Sequence, residues 1–286
     1  MEKLTEGYSL VEGPVWVQGK GLMFSDVLNG GVFCVDRAGN LSTIFAHRKG
    51  IGGMSLHENG SMIVSGRNIS WKSVPEGQTI TLLDRDEEAG LVGFNDITTD
   101  EAGRIYAGSL GSSPVFDDGR EPQAGNLYVI DLDGSSRLVA KDILLTNGLG
   151  FSPDGKTLYH ADSSRDHINA YEVNADGSLG EKRVFVTTEQ GSPDGLAISE
   201  DGRIWVALVG AGCVGVYQPD GSLEQTIDVP QPMVTSVCFG GDDLKDLYVV
   251  TGSRGSGSDR AGAVYVTSVD VAGLPVPLAR VTLASE

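Results

Sequence analysis

Six positions, Glu12, Gly52, Asn95, Asn147, Asp194 and Thr235, open six copies of one short module and follow one another at intervals of 40, 43, 52, 47 and 41 residues. Four of them carry hard oxygen donors: the carboxylates of Glu12 and Asp194 and the amides of Asn95 and Asn147. Brought together, these groups make a site for one divalent metal ion. With no His or Cys among them, the set suits Ca²⁺ ahead of a softer metal, although a site open to solvent also accepts Zn²⁺, Mn²⁺ or Mg²⁺. Taken singly, the NG, ND and DG dipeptides read as turn formers whose side chains cap the backbone. Their recurrence at the head of the modules favours a ring.

The modules supply the elements that must position these donors. Each consists of two short apolar strands around a polar, glycine-containing turn: EGPVWVQGKGLMFSD from Glu12, GGMSLHENGSMIVSG from Gly52, NDITTDEAGRIYAGS from Asn95, NGLGFSPDGKTLYHAD from Asn147, DGLAISEDGRIWVAL from Asp194 and TSVCFGGDDLKDLYVVT from Thr235. The fourth residue of the second strand is small at Ser25, Ser65, Gly108, Ala161 and Ala207, as crowding near a shared axis requires. Further strands follow, joined by the hairpin signals DRAGN, DLDGS, NADGS and QPDGS. Repeats of this length match blades of four strands, and no long helical periodicity interrupts them. The pattern predicts an all-β chain, a six-bladed β-propeller with four-stranded blades around a central metal-containing channel, forming a single domain over residues 1–286. The inner strands then start at one end, and the first column becomes a ring around one mouth of the channel. Closure is expected to join the segment before Glu12 to strands within residues 263–285.

Composition agrees with this reading. The 40 glycines are spread along the 286 residues, as many tight turns demand. Cys34, Cys213 and Cys238 lack CxxC spacing and read as small buried hydrophobes. The net charge of −18 argues against nucleic-acid binding and favours divalent cations and neutral substrates over anionic ones. No stretch reaches the ~18 to 20 apolar residues of a membrane span. MEKLTEGYSL lacks a basic start and apolar core, so a soluble, cytoplasmic protein with no membrane partner is expected. Nothing in the sequence specifies an oligomeric state.

EGPVW, FNDITTDEAGRIYAG, NGLGFSPDGKTLYHADS and SPDGLAISEDGRIWVA together resemble the motifs of the gluconolactonase/regucalcin family, in order and spacing over residues from about 8 to 270. The resemblance implies a six-bladed propeller holding Ca²⁺ or another divalent ion, with ligands at Glu12, Asn147 and Asp194 and a fourth-ligand or substrate-contacting asparagine at Asn95. It also implies lactone hydrolysis, in which a metal polarises the carbonyl and Asp194 acts as general base on the attacking water. The related diisopropyl fluorophosphatase site is similar, so phosphotriesterase-like or fluorophosphatase-like hydrolysis is one alternative. A non-catalytic calcium-binding propeller is the other.

One departure bears on the substrate, a small lactone or ester. Sugar-lactone members carry an arginine two residues before the asparagine of the FND segment, where this chain has Gly93. A polyhydroxylated sugar lactone is therefore not expected, and a larger, less polar lactone or another ester fits the freed space. The ends of the second strands place Asp26, Arg67, Ser109, His160, Asp162 and Arg254 near the same mouth. Among these, Arg67 is the candidate to replace the missing guanidinium from a neighbouring blade, and Asp162 belongs to the HADS segment that matches the family; an ordinary solvated loop role is the alternative for each. Glu121, on the third-module insertion, resembles a lid residue of some members. Arg67, Asp162 and Glu121, with Asn95, are the expected substrate contacts.

Overall fold

A computed structural model of the chain describes all residues except 76, 117, 118, 120 and 284–286. In it the six modules become six antiparallel sheets of four strands. Their inner strands, numbered here as blades 1 to 6, are Val11–Val17, Met54–Leu56, Gly93–Thr99, Thr146–Phe151, Ser192–Ile198 and Val234–Gly240. Blades 1 to 5 run outward in chain order. In blade 6 the outermost strand, Glu2–Tyr8, comes from the start of the chain and pairs with Gly262–Ser268. One sheet therefore holds the first and the last strand, and the ring is closed by backbone hydrogen bonds.

Burial explains the residue choice along each blade. The second strand faces a neighbouring blade on both sides, and in Gly21–Asp26 every residue is buried. The outer strand Leu223–Asp228 is almost wholly exposed and correspondingly polar. The core consists of six apolar clusters, each between two adjacent blades. Trp205 and Val214 of blade 5 meet Phe239 and Val249 of blade 6, and Phe24 of blade 1 meets Tyr248 and Val264 of blade 6. Each such side chain contributes roughly 1.5 to 3 kcal/mol by leaving water, so the blade interfaces are the main stabilising term. The small-residue column sits where crowding predicted it: Ser25 is fully buried and donates to the Ile51 carbonyl of the next blade at 2.6 Å.

Beyond Ser268 the described residues make no further blade strand, which narrows the closure expected within residues 263–285 to Gly262–Ser268. The tail instead crosses the far end of the channel. Leu274 donates to Ile198 O at 2.7 Å, Ala279 to Leu56 O at 2.8 Å and Arg280 to Gly103 O at 2.9 Å, tying blades 5, 2 and 3 together. Pro275 and Pro277 lack the N–H that a ladder needs, which suits this segment to a strap. No helix among the described residues is long and apolar enough to cross a membrane.

Candidate functional site

The donors of the first column occupy irregularities in otherwise regular strands. Pairing steps from Glu12 with Ser25 to Val15 with Met23, so three residues on the inner strand span two on its partner. The same one-residue bulge brackets Asn95 between Phe94 and Ile97, Asn147 between Thr146 and Leu149, and Asp194 between Pro193 and Leu196. A bulge twists the strand and re-aims the side chain within it. Blade 2, with no side-chain donor, pairs Met54–Leu56 without a shift. Gly52 is needed there for space: a Cβ on it would land on Asn95 Oδ1. In blade 6 the bulge holds Thr235, whose buried hydroxyl donates to Val11 O at 2.6 Å and Val250 O at 3.1 Å and so joins the closing blades.

Glu12, Asn95, Asn147 and Asp194 line one cavity of about 700 Å³. Its walls are largely apolar, with Leu10, Val27, Phe94, Leu110, Phe116 and Met233, and Lys49, Arg67, Arg85 and Arg254 also line it. A chain of hydrogen bonds fixes the amides. Asn95 Nδ2 donates to Asn147 Oδ1 at 2.6 Å and to Thr146 O at 2.8 Å. Asn147 Nδ2 donates to Ser163 Oγ at 2.7 Å, and Ser163 Oγ donates to Pro193 O at 2.5 Å, beside Asp194. This chain spans blades 3, 4 and 5.

The carboxylates sit in a hostile setting. Burial first, then the charges of Asp194 and Asp96, push Glu12 well above the usual carboxylate range. Burial, then the Asp96 charge, does the same to Asp194. Asp96, set deeper in the channel, is pushed up to about 7 by burial. Among the described residues none of the three pairs with a Lys, Arg or His, and the buried Oδ1 of Asp194 has no hydrogen-bond partner. Buried like charges of this kind require protons or a cation. Among the described residues no group of three His, Cys, Asp or Glu side chains forms a metal cluster, so an ion here must draw on the amide oxygens as well. Two carboxylates, two amides and an orphaned carboxylate oxygen fit a hard divalent ion.

Arg67 lines the cavity as expected, but two other expected contacts do not. Asp162 is fully buried, with its carboxylate accepting from Leu144 N and Leu145 N at 3.0 Å each and from Arg165 at 2.8 Å. It anchors the chain entering the inner strand of blade 4, as Asp26 does in blade 1 through Ser9 N and Leu10 N. The HADS segment does reach the site, but through the next residue, Ser163. Glu121 is exposed and does not line the cavity; the insertion contributes Ser113–Phe116 instead. His160 is also not at the rim: it is fully buried, its Nε2 lies 2.5 Å from Thr146 Oγ1, and burial lowers it to about 4. Ser163 and Asp96 carry no motif of their own in the sequence, although each directly follows a candidate residue, Asp162 and Asn95.

A model of the SMP-30/gluconolactonase/LRE-like region matches residues 10–253. The chain is 32% identical over 281 residues to a 6-deoxy-6-sulfogluconolactonase of Pseudomonas putida, covering 94% of each chain. It is 31% identical over 284 residues to a pentonolactonase of Haloferax volcanii, covering 93% of each. Among solved structures, a calcium-binding regucalcin from Agrobacterium tumefaciens superposes with a TM-score of 0.84 at 24% identity, over 98% of this chain and 97% of that one.

Proposed function

The chain belongs to the SMP-30/gluconolactonase/LRE-like family and is a lactonase, and from that premise we propose that it opens a lactone ring at the four-oxygen ring, with Asp194 as general base. The observation that carries this reading is the convergence of Glu12, Asn95, Asn147 and Asp194 on one cavity, with a buried Asp194 oxygen left without a partner. These four side chains would hold a divalent ion, with Ca²⁺ favoured by the all-oxygen donors and by the calcium-binding regucalcin of the same fold. When bound, the ion supplies Lewis acidity to the lactone carbonyl and offsets the paired carboxylates.

The chain's own residues do the rest. Asp194 accepts a proton from water as the water oxygen bonds to the carbonyl carbon, and it returns that proton to the ring oxygen as the acyl C–O bond breaks. The product is a hydroxy acid, with no net change in the enzyme. Glu12 anchors the site. Asn95 and Asn147 are held in orientation by Thr146 O and Ser163, which limits reorganisation during the reaction. Arg67 orients the substrate from the mouth, and the apolar walls exclude water from all but the attacking position.

A lactone panel assayed by proton release tests this directly. Asp194→Ala is expected to lower kcat by about 100-fold or more, the usual scale for a lost general base. A variant as fast as the parent would contradict the assignment.

A further inference from the structure

In a chain of net charge −18, carboxylates are plentiful, and several cations find one. Arg37, Arg104, Arg137, Arg165 and Arg203 each do so. At the mouth of the 700 Å³ cavity several cations lie together, most of them unpaired. Lys49, Arg67 and Arg254 line it and are exposed, and none has an ion pair or hydrogen bond among the described residues. Arg85 lines it too but is engaged with Glu87 at 2.6 Å. The cations come from the flanks of blades 2 and 6, so the mouth gathers positive charge across separate segments while the floor is acidic.

Backbone geometry explains how Arg67 comes to be there. Gly66 and Phe94 exchange hydrogen bonds between blades 2 and 3, Phe94 N to Gly66 O at 2.7 Å and Gly66 N to Phe94 O at 3.2 Å. A Cβ at Gly93 would meet Gly66 O at 2.9 Å and lie 3.7 Å from the Arg67 Cα. A side chain at position 93 would therefore press on this bridge, whereas the bridge itself seats Arg67 beside the same spot.

We infer that the lactone turned over at this site carries an anionic group, held at the mouth by Arg67 with Lys49 and Arg254 while the ring lies over the oxygen donors. This rests on the lactonase reading and specifies its substrate class. A carboxylate and a sulfonate satisfy a guanidinium in the same way, through charge-assisted hydrogen bonds. The apolar walls between mouth and floor fit an aliphatic spacer. The whole-chain charge, which argued for neutral substrates, acts at long range and is screened within about 8 to 10 Å at ordinary salt; contact with the cationic mouth decides binding.

The test uses three δ-lactones with one alkyl spacer ending in carboxylate, sulfonate or the neutral carboxamide. The wild-type kcat/KM is expected to be about tenfold or more higher for both anions than for the carboxamide, a difference of about 1.4 kcal/mol, and the ratio should shrink at high salt. Arg67→Gln is expected to bring the ratio below about threefold, with Arg254→Gln, on a separate segment, lowering it in part. A wild-type ratio near one, or a ratio unchanged in Arg67→Gln, would overturn the inference. Calorimetric binding of the matching non-hydrolysed lactams separates this from failure of the lactonase reading. If no lactone turns over, anion-selective lactam binding lost in Arg67→Gln supports the mouth, and equal binding of charged and neutral lactams overturns it.

Discussion

At the scale of single residues, the site depends as much on groups that are absent as on those present. Gly52 stands in the ring column and offers no donor, because Asn95 Oδ1 occupies the space its Cβ would take. Gly52→Ala is accordingly predicted to displace the Asn95 amide and lower kcat/KM by about tenfold or more, while costing only about 1 to 3 kcal/mol of stability. Steady-state kinetics beside a urea titration check both halves; an unchanged kcat/KM would show that the amide position is immaterial. The ring column was legible in the sequence because an oxygen-bearing residue recurs at one position in four of the six modules, a regularity that turn formation alone does not require. Ser163 was not, because HADS pointed to its charged residue: charge in a motif suggests chemistry, yet the Asp162 carboxylate is consumed by two backbone N–H groups and Arg165.

At the scale of elements, the one-residue bulge connects fold to site. Five of the six inner strands carry one, and the four oxygen donors all lie in or beside a bulge. The strands, their turns and the blade count were readable from alternation, glycine placement and module spacing. The bulges were not, since register is a property of two strands and one segment shows only its own period. The same limit hid the role of the second-strand ends. Their position near the mouth was foreseeable, but whether a side chain turns to solvent or back onto the entering chain depends on which N–H groups lack partners. Asp162→Asn tests that assignment: it should leave Leu144 and Leu145 with a weaker acceptor and Arg165 without its buried counter-charge. An unfolding free energy lower by about 1 to 3 kcal/mol is predicted from denaturant titration, with KM within about twofold of the parent. A raised KM with unchanged stability would return Asp162 to the substrate.

At the scale of the whole molecule, the propeller is a ring whose ends meet in blade 6 and whose channel is polar in charge, with carboxylates at the floor and cations at the mouth. Closure rests on Glu2–Tyr8 pairing with Gly262–Ser268, and Tyr8 packs edge-on against Phe24 of blade 1 with ring centroids 5.0 Å apart. Removing residues 1–8 exposes the edge of the last blade and is predicted to lower Tm by about 10 °C or more in calorimetry, on the scale of several kcal/mol lost from a domain of this size; an unaltered Tm would mean the ring closes by other contacts. The end of the closing strand at Ser268 is not legible in the sequence, because the tail's prolines, which favour a strap across the far end, sit among residues as apolar as a strand. The central claim is that four oxygen donors from four blades hold one divalent ion on which lactone opening depends. Its most direct test is to strip the protein with a chelator and titrate Ca²⁺, then Mn²⁺, Zn²⁺ and Mg²⁺, while following hydrolysis of an active lactone. Activity is predicted to vanish on chelation and return in full with one ion per chain, and Asn147→Ala to shift this titration to at least about tenfold higher metal. Full activity in the stripped protein would contradict the central claim.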